Sequence, residues 1–349
     1  TCALPISTGH NVYPPKHQGY YEDFPMWHEI DLRTMVRRDR NHPSVILYSI
    51  GNEIDYPNDP YCHPMFSEMT GNNDNNKPAA ERQYDVNKPN MERLSVIAKE
   101  LVSIVKDEDL TRPVTVAAAF PELSTRIGFI DELDVVGYNY KEHLYEQDHK
   151  RFPKKTFLGS ENGHSPEAWK VVKDNDYVCG QFLWTGIDYL GEALGWPVRG
   201  SAAGFITTAG FAKEEFHERS KLWGGVGLSK KKSDEVTVEL WKPELCCDMN
   251  LKSEFIENHK EIGYIYQVIV KVPENLPEKD ILVQVTGAGE LAGIDNGDLS
   301  DLTPYTANYR KTLGGELVIY IKRLATGKIN VAVREVIAEK SSVLAKINI

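Results

Sequence analysis

The sequence predicts an α/β chain, a partial TIM (β/α)8 barrel followed by an all-β immunoglobulin-like sandwich, and three observations carry that expectation. Residues 27–222 alternate amphipathic helical stretches with short apolar runs, as parallel strands buried on both faces do. Two of those runs, residues 45–50 and 156–159, lead into glutamates, Glu53 and Glu161. In a parallel barrel the C-terminal strand ends converge on one mouth, so ionisable residues there are candidate acids and bases. From about Leu222 the chain changes to short alternating runs separated by Gly, Asn, Asp and Pro, the spacing of a sandwich.

In chain order, Thr1-Cys2-Ala3-Leu4-Pro5-Ile6 is what one reading frame of a common sequencing-library adapter would encode, so residues 1–10 are set aside as a scar or loop remnant. There is no initiator Met or signal peptide, so the start of the chain says nothing about compartment; the periplasm and secretion stay open. Residues 11–26 read as a Tyr- and Pro-rich loop. Residues 26–38 space Trp27, Ile30, Leu32, Met35 and Val36 as a helix, and residues 92–106 do the same with Leu94, Ile97, Leu101, Ile104 and Val105. Parallel strands are expected at about 45–51, 114–118, 134–138, 156–160 and 178–184, with a helix at 166–173. Residues 55–88 form a polar insertion containing the run 71–76. A loop of that length at a barrel mouth usually has work to do, although its Asp and Asn residues lack the spacing of a hand-type calcium loop. The expected domains are residues 11–224 for the barrel part and 225–349 for the sandwich, whose strands lie at 236–240, 264–270, 281–285, 317–321 and 329–333.

Composition narrows the function classes. The 349 residues are 41% apolar and 26% charged, ordinary for a globular chain, and no run is long enough to span a membrane. A net charge of −11 argues against nucleic acid, which is held by clustered Lys and Arg, and leaves neutral sugars unopposed. Cysteines at positions 2, 62, 179, 246 and 247 have neither metal-ligand nor disulfide spacing, and His10, His28, His63, His143 and His149 are scattered; no metal or cofactor is assigned.

Glu53 and Glu161 are 108 residues apart. A barrel of roughly 250 residues allots about 31 to each of its eight units, so three units and a modest insertion separate the two. Glycoside hydrolysis needs such a pair, one carboxyl to protonate the leaving oxygen and one to attack or to activate water. The bland reading of Glu53 alone is a loop cap or an arginine partner.

Asp39-Arg40-Asn41-His42-Pro43-Ser44-Val45 followed by Gly51-Asn52-Glu53 resembles the acid/base signature of glycoside hydrolase family 2, the family of bacterial β-galactosidases, β-glucuronidases and β-mannosidases. Gly159-Ser160-Glu161 resembles its nucleophile strand, and Gln181-Phe182-Leu183-Trp184 to Asp188 its eighth strand; Tyr48 stands where the family usually has Trp. The resemblance covers about residues 11–224. It implies Glu53 as acid/base, Glu161 as nucleophile, and substrate contacts from Asn52 at the sugar 2-hydroxyl, Tyr140, His164 and Trp184. Tyr138 could equally be packing, and Asp188, Glu192 and Trp196 are weaker rim candidates. The resemblance also numbers the strands four to eight, placing strands one to three and the N-terminal domains upstream of this fragment, and it implies a shortened or absent intermediate domain around 225–260. In β-glucuronidases an Asn-x-Lys element binds the sugar carboxylate, whereas residues 200–204 offer neither group. The expected substrate is therefore a terminal β-galactoside of an oligosaccharide or glycan, cleaved with retention by carboxyls roughly 5 to 5.5 Å apart. A β-mannosidase, another neutral β-glycosidase, or a non-catalytic carbohydrate-binding fragment are the alternatives, and both a homo-oligomer and the activity of the isolated fragment stay open.

Overall fold

A computed structural model describes residues 2–3, 23–55, 62–67, 84–225, 234–242, 262–273, 275–337 and 340–349. Most of the 55–88 insertion, with its 71–76 run, lies outside the described residues, as do 226–233 and 243–261, where the sequence suggests a reduced intermediate domain. Contacts divide the chain into two units, 1–184 and 185–349.

The first unit runs β1 (Cys2–Ala3), α1 (Phe24–Asp39), β2 (Tyr48–Asn52), α2 (Arg93–Glu108), β3 (Val114–Ala118), α3 (Pro121–Ser124), β4 (Val135–Asn139), α4 (Tyr145–Arg151), β5 (Thr156–Asn162), α5 (Pro166–Lys173) and β6 (Val178–Leu183). The strands stand in sequence order, every neighbouring pair parallel. This is the alternating pattern of a barrel sector left unclosed. Cys2–Ala3, set aside on sequence grounds, pairs with Tyr48 and Ser49. The strand β2 starts later than its apolar run because Arg112 occupies the preceding carbonyls. Its Nε donates to Val45 O at 2.6 Å and its Nη2 to His42 O at 3.2 Å.

The two faces of this sheet differ. One face sends Tyr48, Ile50, Val114, Val116, Ala118, Val136, Tyr138 and Phe157 into a core shared with Leu32 and Val36 of α1 and Leu94, Leu101 and Val105 of α2. The other begins with a small apolar cluster, Leu47, Val135 and Leu158. Further along it is small and polar. A Cβ on Gly137 would sit 2.3 Å from Val116 O, 3.0 Å from Thr115 Oγ1 and 3.1 Å from Ser160 Oγ, so this position has no room for a side chain. On the helical layer, Arg33 and Arg37 reach Glu108 at 3.0 and 2.7 Å and tie α1 to α2. Their hydrogen bonds hold the Glu108 carboxyl down at about 2.

The second unit contains β7 (Tyr189–Leu190), β8 (Gly200–Ser201), α6 (Glu214–Leu222), β9 (Thr237–Trp241), β10 (Ile265–Lys271), β11 (Asp280–Gly287), β12 (Gly289–Asp295), β13 (Tyr309–Lys311), β14 (Glu316–Arg323), β15 (Ile329–Ile337) and β16 (Lys340–Asn348). Two antiparallel sheets, ordered β12-β14-β10-β9 and β13-β11-β15-β16, enclose one aliphatic core that includes Val268, Ile281, Ile294, Ile319, Ile329 and Val331. All five expected strands are present. β12, β13 and β16 are additional; the stretch at 291–298 is strand as far as Asp295 and turn beyond it. Residues 185–224 belong by contact to this second unit. Arg199 explains part of this, since its backbone N–H donates to Leu299 O at 3.0 Å and its Nη2 to Asp301 O at 2.7 Å.

Candidate active site

At the end of β2 the chain must leave the sheet while presenting a carboxylate. Glu53 does so with φ at 51°, a left-handed conformation that costs an L-residue about 1 to 2 kcal/mol. Its backbone stays attached to the sheet, because Glu53 N donates to Ala117 O at 2.8 Å. Two residues on, the fully buried Asp55 carboxylate accepts from Ala119 N and Phe120 N, both at 2.9 Å, and from Ser124 Oγ at 2.6 Å. The turn is thus pinned on both sides of Ile54.

The end of β4 repeats the device. Tyr140 has φ at 55° and donates from its backbone to Glu161 O at 2.7 Å. Between these strand ends lies Asn139, 2% exposed. Its Nδ2 donates to Asn52 Oδ1 at 3.0 Å and to Glu53 Oε1 at 3.1 Å, and its Oδ1 accepts from Ser160 Oγ at 2.7 Å. In the β4–β5 ladder the residue opposite Asn139 is Glu161, which is half-buried like Glu53. One residue therefore bonds to the first glutamate through its side chain and faces the second across the ladder.

The remaining expected positions divide. His164 lies two residues past β5 and is half-buried. Trp184 follows β6, bonds from its backbone to Asn162 O at 3.0 Å and leaves 41% of its surface exposed. Tyr138 proves to be packing. It faces the helical core between Tyr145 and Phe157 and donates to Asp148 Oδ2 at 2.8 Å, and burial raises its hydroxyl far above the usual range. Asp188, Glu192 and Trp196 belong to the second unit. There Asp188 is buried, accepting from Gly204 N at 2.8 Å and Lys213 Nζ at 2.7 Å, while Trp196 is exposed.

Asn139, Ser160 and Asp55 escape the sequence reading. Asn139 has a signal, a lone amide ending an otherwise apolar strand; Asp55 has none, because it reads as the start of a polar insertion. Among the described residues no group of three or more His, Cys, Asp or Glu is arranged to hold a metal, and no helix is long and apolar enough to cross a membrane.

Known proteins resemble this chain in two stretches. Residues 23–188 match the model "Glycosyl hydrolases family 2, TIM barrel domain" and residues 272–343 match "Glycoside hydrolase family 2 C-terminal domain 5", together more than half of the chain. A β-galactosidase of Bacteroides ovatus is 31% identical over 258 residues, covering 58% of this chain and 30% of that protein. A protein of Formosa agariphila provisionally named β-glucuronidase is 25% identical over 228 residues, covering 57% and 21%. The crystal structure of a family 2 member from Bacteroides cellulosilyticus superposes with a TM-score of 0.65 at 20% identity, over all of this chain and 54% of that one; at that identity the likeness concerns the fold. The chain spans between a fifth and about half the length of these relatives.

Proposed function

The chain belongs to glycoside hydrolase family 2, and from that premise we propose that it carries both catalytic carboxylates of a retaining glycosidase acting on terminal β-galactosides, Glu53 as acid/base and Glu161 as nucleophile. The observation that supports this reading best is Asn139, which bonds to Glu53 Oε1 and pairs with Glu161 at the same end of a parallel sheet.

In the first step a Glu161 carboxylate oxygen bonds to the anomeric carbon as the bond from that carbon to the glycosidic oxygen breaks, and the leaving oxygen takes the Glu53 proton. In the second, Glu53, now ionised, removes a proton from water. The water oxygen bonds to the anomeric carbon, and the ester to Glu161 breaks. Two inversions give net retention, so the first sugar product is β-configured. Asn52, Tyr140, His164 and Trp184 contact the sugar in this reading.

The galactoside preference rests on the sequence of residues 200–204, which offers neither the Asn nor the Lys that binds a uronate in β-glucuronidases. A β-mannoside or another neutral β-glycoside is the next candidate. The gene's full product should release nitrophenol from a β-galactoside and not from a β-glucuronide, and Glu161→Gln should abolish turnover. A 2-fluoro galactoside should label Glu161; a label on any other residue, or an α-configured first product, rejects the assignment. Galactoside binding without turnover, unaffected by Glu161→Gln, would mark a carbohydrate-binding fragment instead.

A further inference from the structure

We infer that Asn139 is a positioning residue that decides which oxygen of Glu53 carries the catalytic proton. This rests on the acid/base assignment of Glu53 and adds to it a residue outside the sequence signature.

The amide's orientation follows from its neighbours. Asn52 Oδ1 and Glu53 Oε1 both need a donor, so the NH₂ group points at them at 3.0 and 3.1 Å, and the amide oxygen is left for the Ser160 hydroxyl at 2.7 Å. A flipped amide would set its oxygen against two acceptors. Asn139 also spans a strand to reach its target, since β3 lies between β4 and β2. Neighbouring strands are about 4.8 Å apart, so the reach is available only over small side chains. The intervening residue is Ala117, which pairs with Asn52 on one side and with Gly137 of Asn139's own strand on the other. Burial makes the arrangement expensive to break, because an amide shut away from water keeps its hydrogen bonds.

The chemical consequence concerns the proton. An oxygen that accepts an N–H bond in the acid form of a carboxyl is its carbonyl oxygen, so the proton of protonated Glu53 is carried by Oε2. The same bond prevents rotation that would exchange the two oxygens. After the proton is transferred, Oε2 is the bare oxygen poised to take one from water. Asn52, on the same amide, is held in fixed relation to that oxygen.

Leaving-group dependence in the gene's full product tests this, since a merely structural role would slow all substrates alike. Asn139→Asp keeps the volume and loses the donor. Its kcat/KM should fall about 100-fold or more on a phenyl galactoside, whose departure needs a proton, and less than about 10-fold on a 2,4-dinitrophenyl galactoside, whose departure does not. Azide, which needs no general base, should restore kcat on the activated substrate. Ser160→Ala removes only the group that orients the amide, and should show the same pattern at about 3- to 10-fold; it stands in if Asn139→Asp does not fold. Equal losses on both substrates, or no loss on either, in whichever of the two folds would overturn the inference. Glu53→Ala separates the failures. If it lacks leaving-group dependence the acid/base assignment falls, and if it has that dependence while Asn139→Asp does not, only the role of Asn139 falls.

Discussion

Two buried polar clusters, one in each unit, are built differently. In the sandwich, Arg310 is 1% exposed and donates to Asp301 Oδ2 at 2.8 Å, while Asn296 bonds that same Asp301 oxygen at 3.0 Å and Lys311 O at 3.0 Å. These side-chain partners all lie between Asn296 and Lys311, in one loop and the strand it leads into. In the barrel sector, Asn139 joins residues from three strands, and Asp55 joins the end of β2 to the start of α3. Glu53 there sits on backbone in the left-handed region. A self-contained polar cluster stabilises its own loop; a distributed one fixes distances between strands, and catalysis depends on such distances.

The sharpest way to break the comparison is Arg310→Met, which takes the charge partner from Asp301 while Asn296 and Thr303 still bond it, and should cost about 3 to 5 kcal/mol in unfolding of the sandwich. Calorimetry should register that loss while the pH profile of the full enzyme stays in place; a shifted acid limb would mean the sandwich takes part in the chemistry. Next in size, Gly137→Ala forces a methyl against Val116 O and should cost about 3 kcal/mol in the barrel sector, read as a lowered melting temperature of that unit. Asp55→Asn should cost about 1 to 3 kcal/mol by presenting an NH₂ to groups that are themselves donors. Its kcat should fall further than its stability predicts, because the Glu53 turn loses an anchor.

The smallest effect is acid-dependent and lies on the helical layer. Glu108 is depressed by Arg37 and Arg33, so its contribution to stability is complete above its ordinary value of 4.5 and is lost as pH falls toward about 2. In Glu108→Gln the melting temperature should change less between those pH values than in the parent, with kcat unchanged. An undiminished slope would show that the acid sensitivity arises elsewhere.

Much of this was open to sequence reasoning. Strands β3 to β6 follow from apolar runs bounded by Pro, Asp and Gly, and Glu53 and Glu161 follow from their place at strand ends. What escaped has physical causes. β12 is interrupted by Gly293, where the register shifts, and ends in Asp295, so its composition resembles a turn. β16 is mostly exposed and paired with β15, and offers no continuous apolar face. Tyr138 and Tyr140 look equivalent in the chain, but strand alternation sends Tyr138 to the helical core while Tyr140 lies in the left-handed turn beyond the strand. Asn139 and Asp55 are three-dimensional facts: Asn139 bonds Glu53, 86 positions away, and Asp55 bonds Ala119, 64 away.

Asp55 also bears on how such a mouth can diversify. It is bonded to Ala119, Phe120 and Ser124 just before the long insertion begins. Any segment that follows starts from a post fixed to the next strand and helix. Its length and sequence can drift without transmitting movement back through two residues to Glu53, so new rims can be tried out around a glutamate that stays where it is.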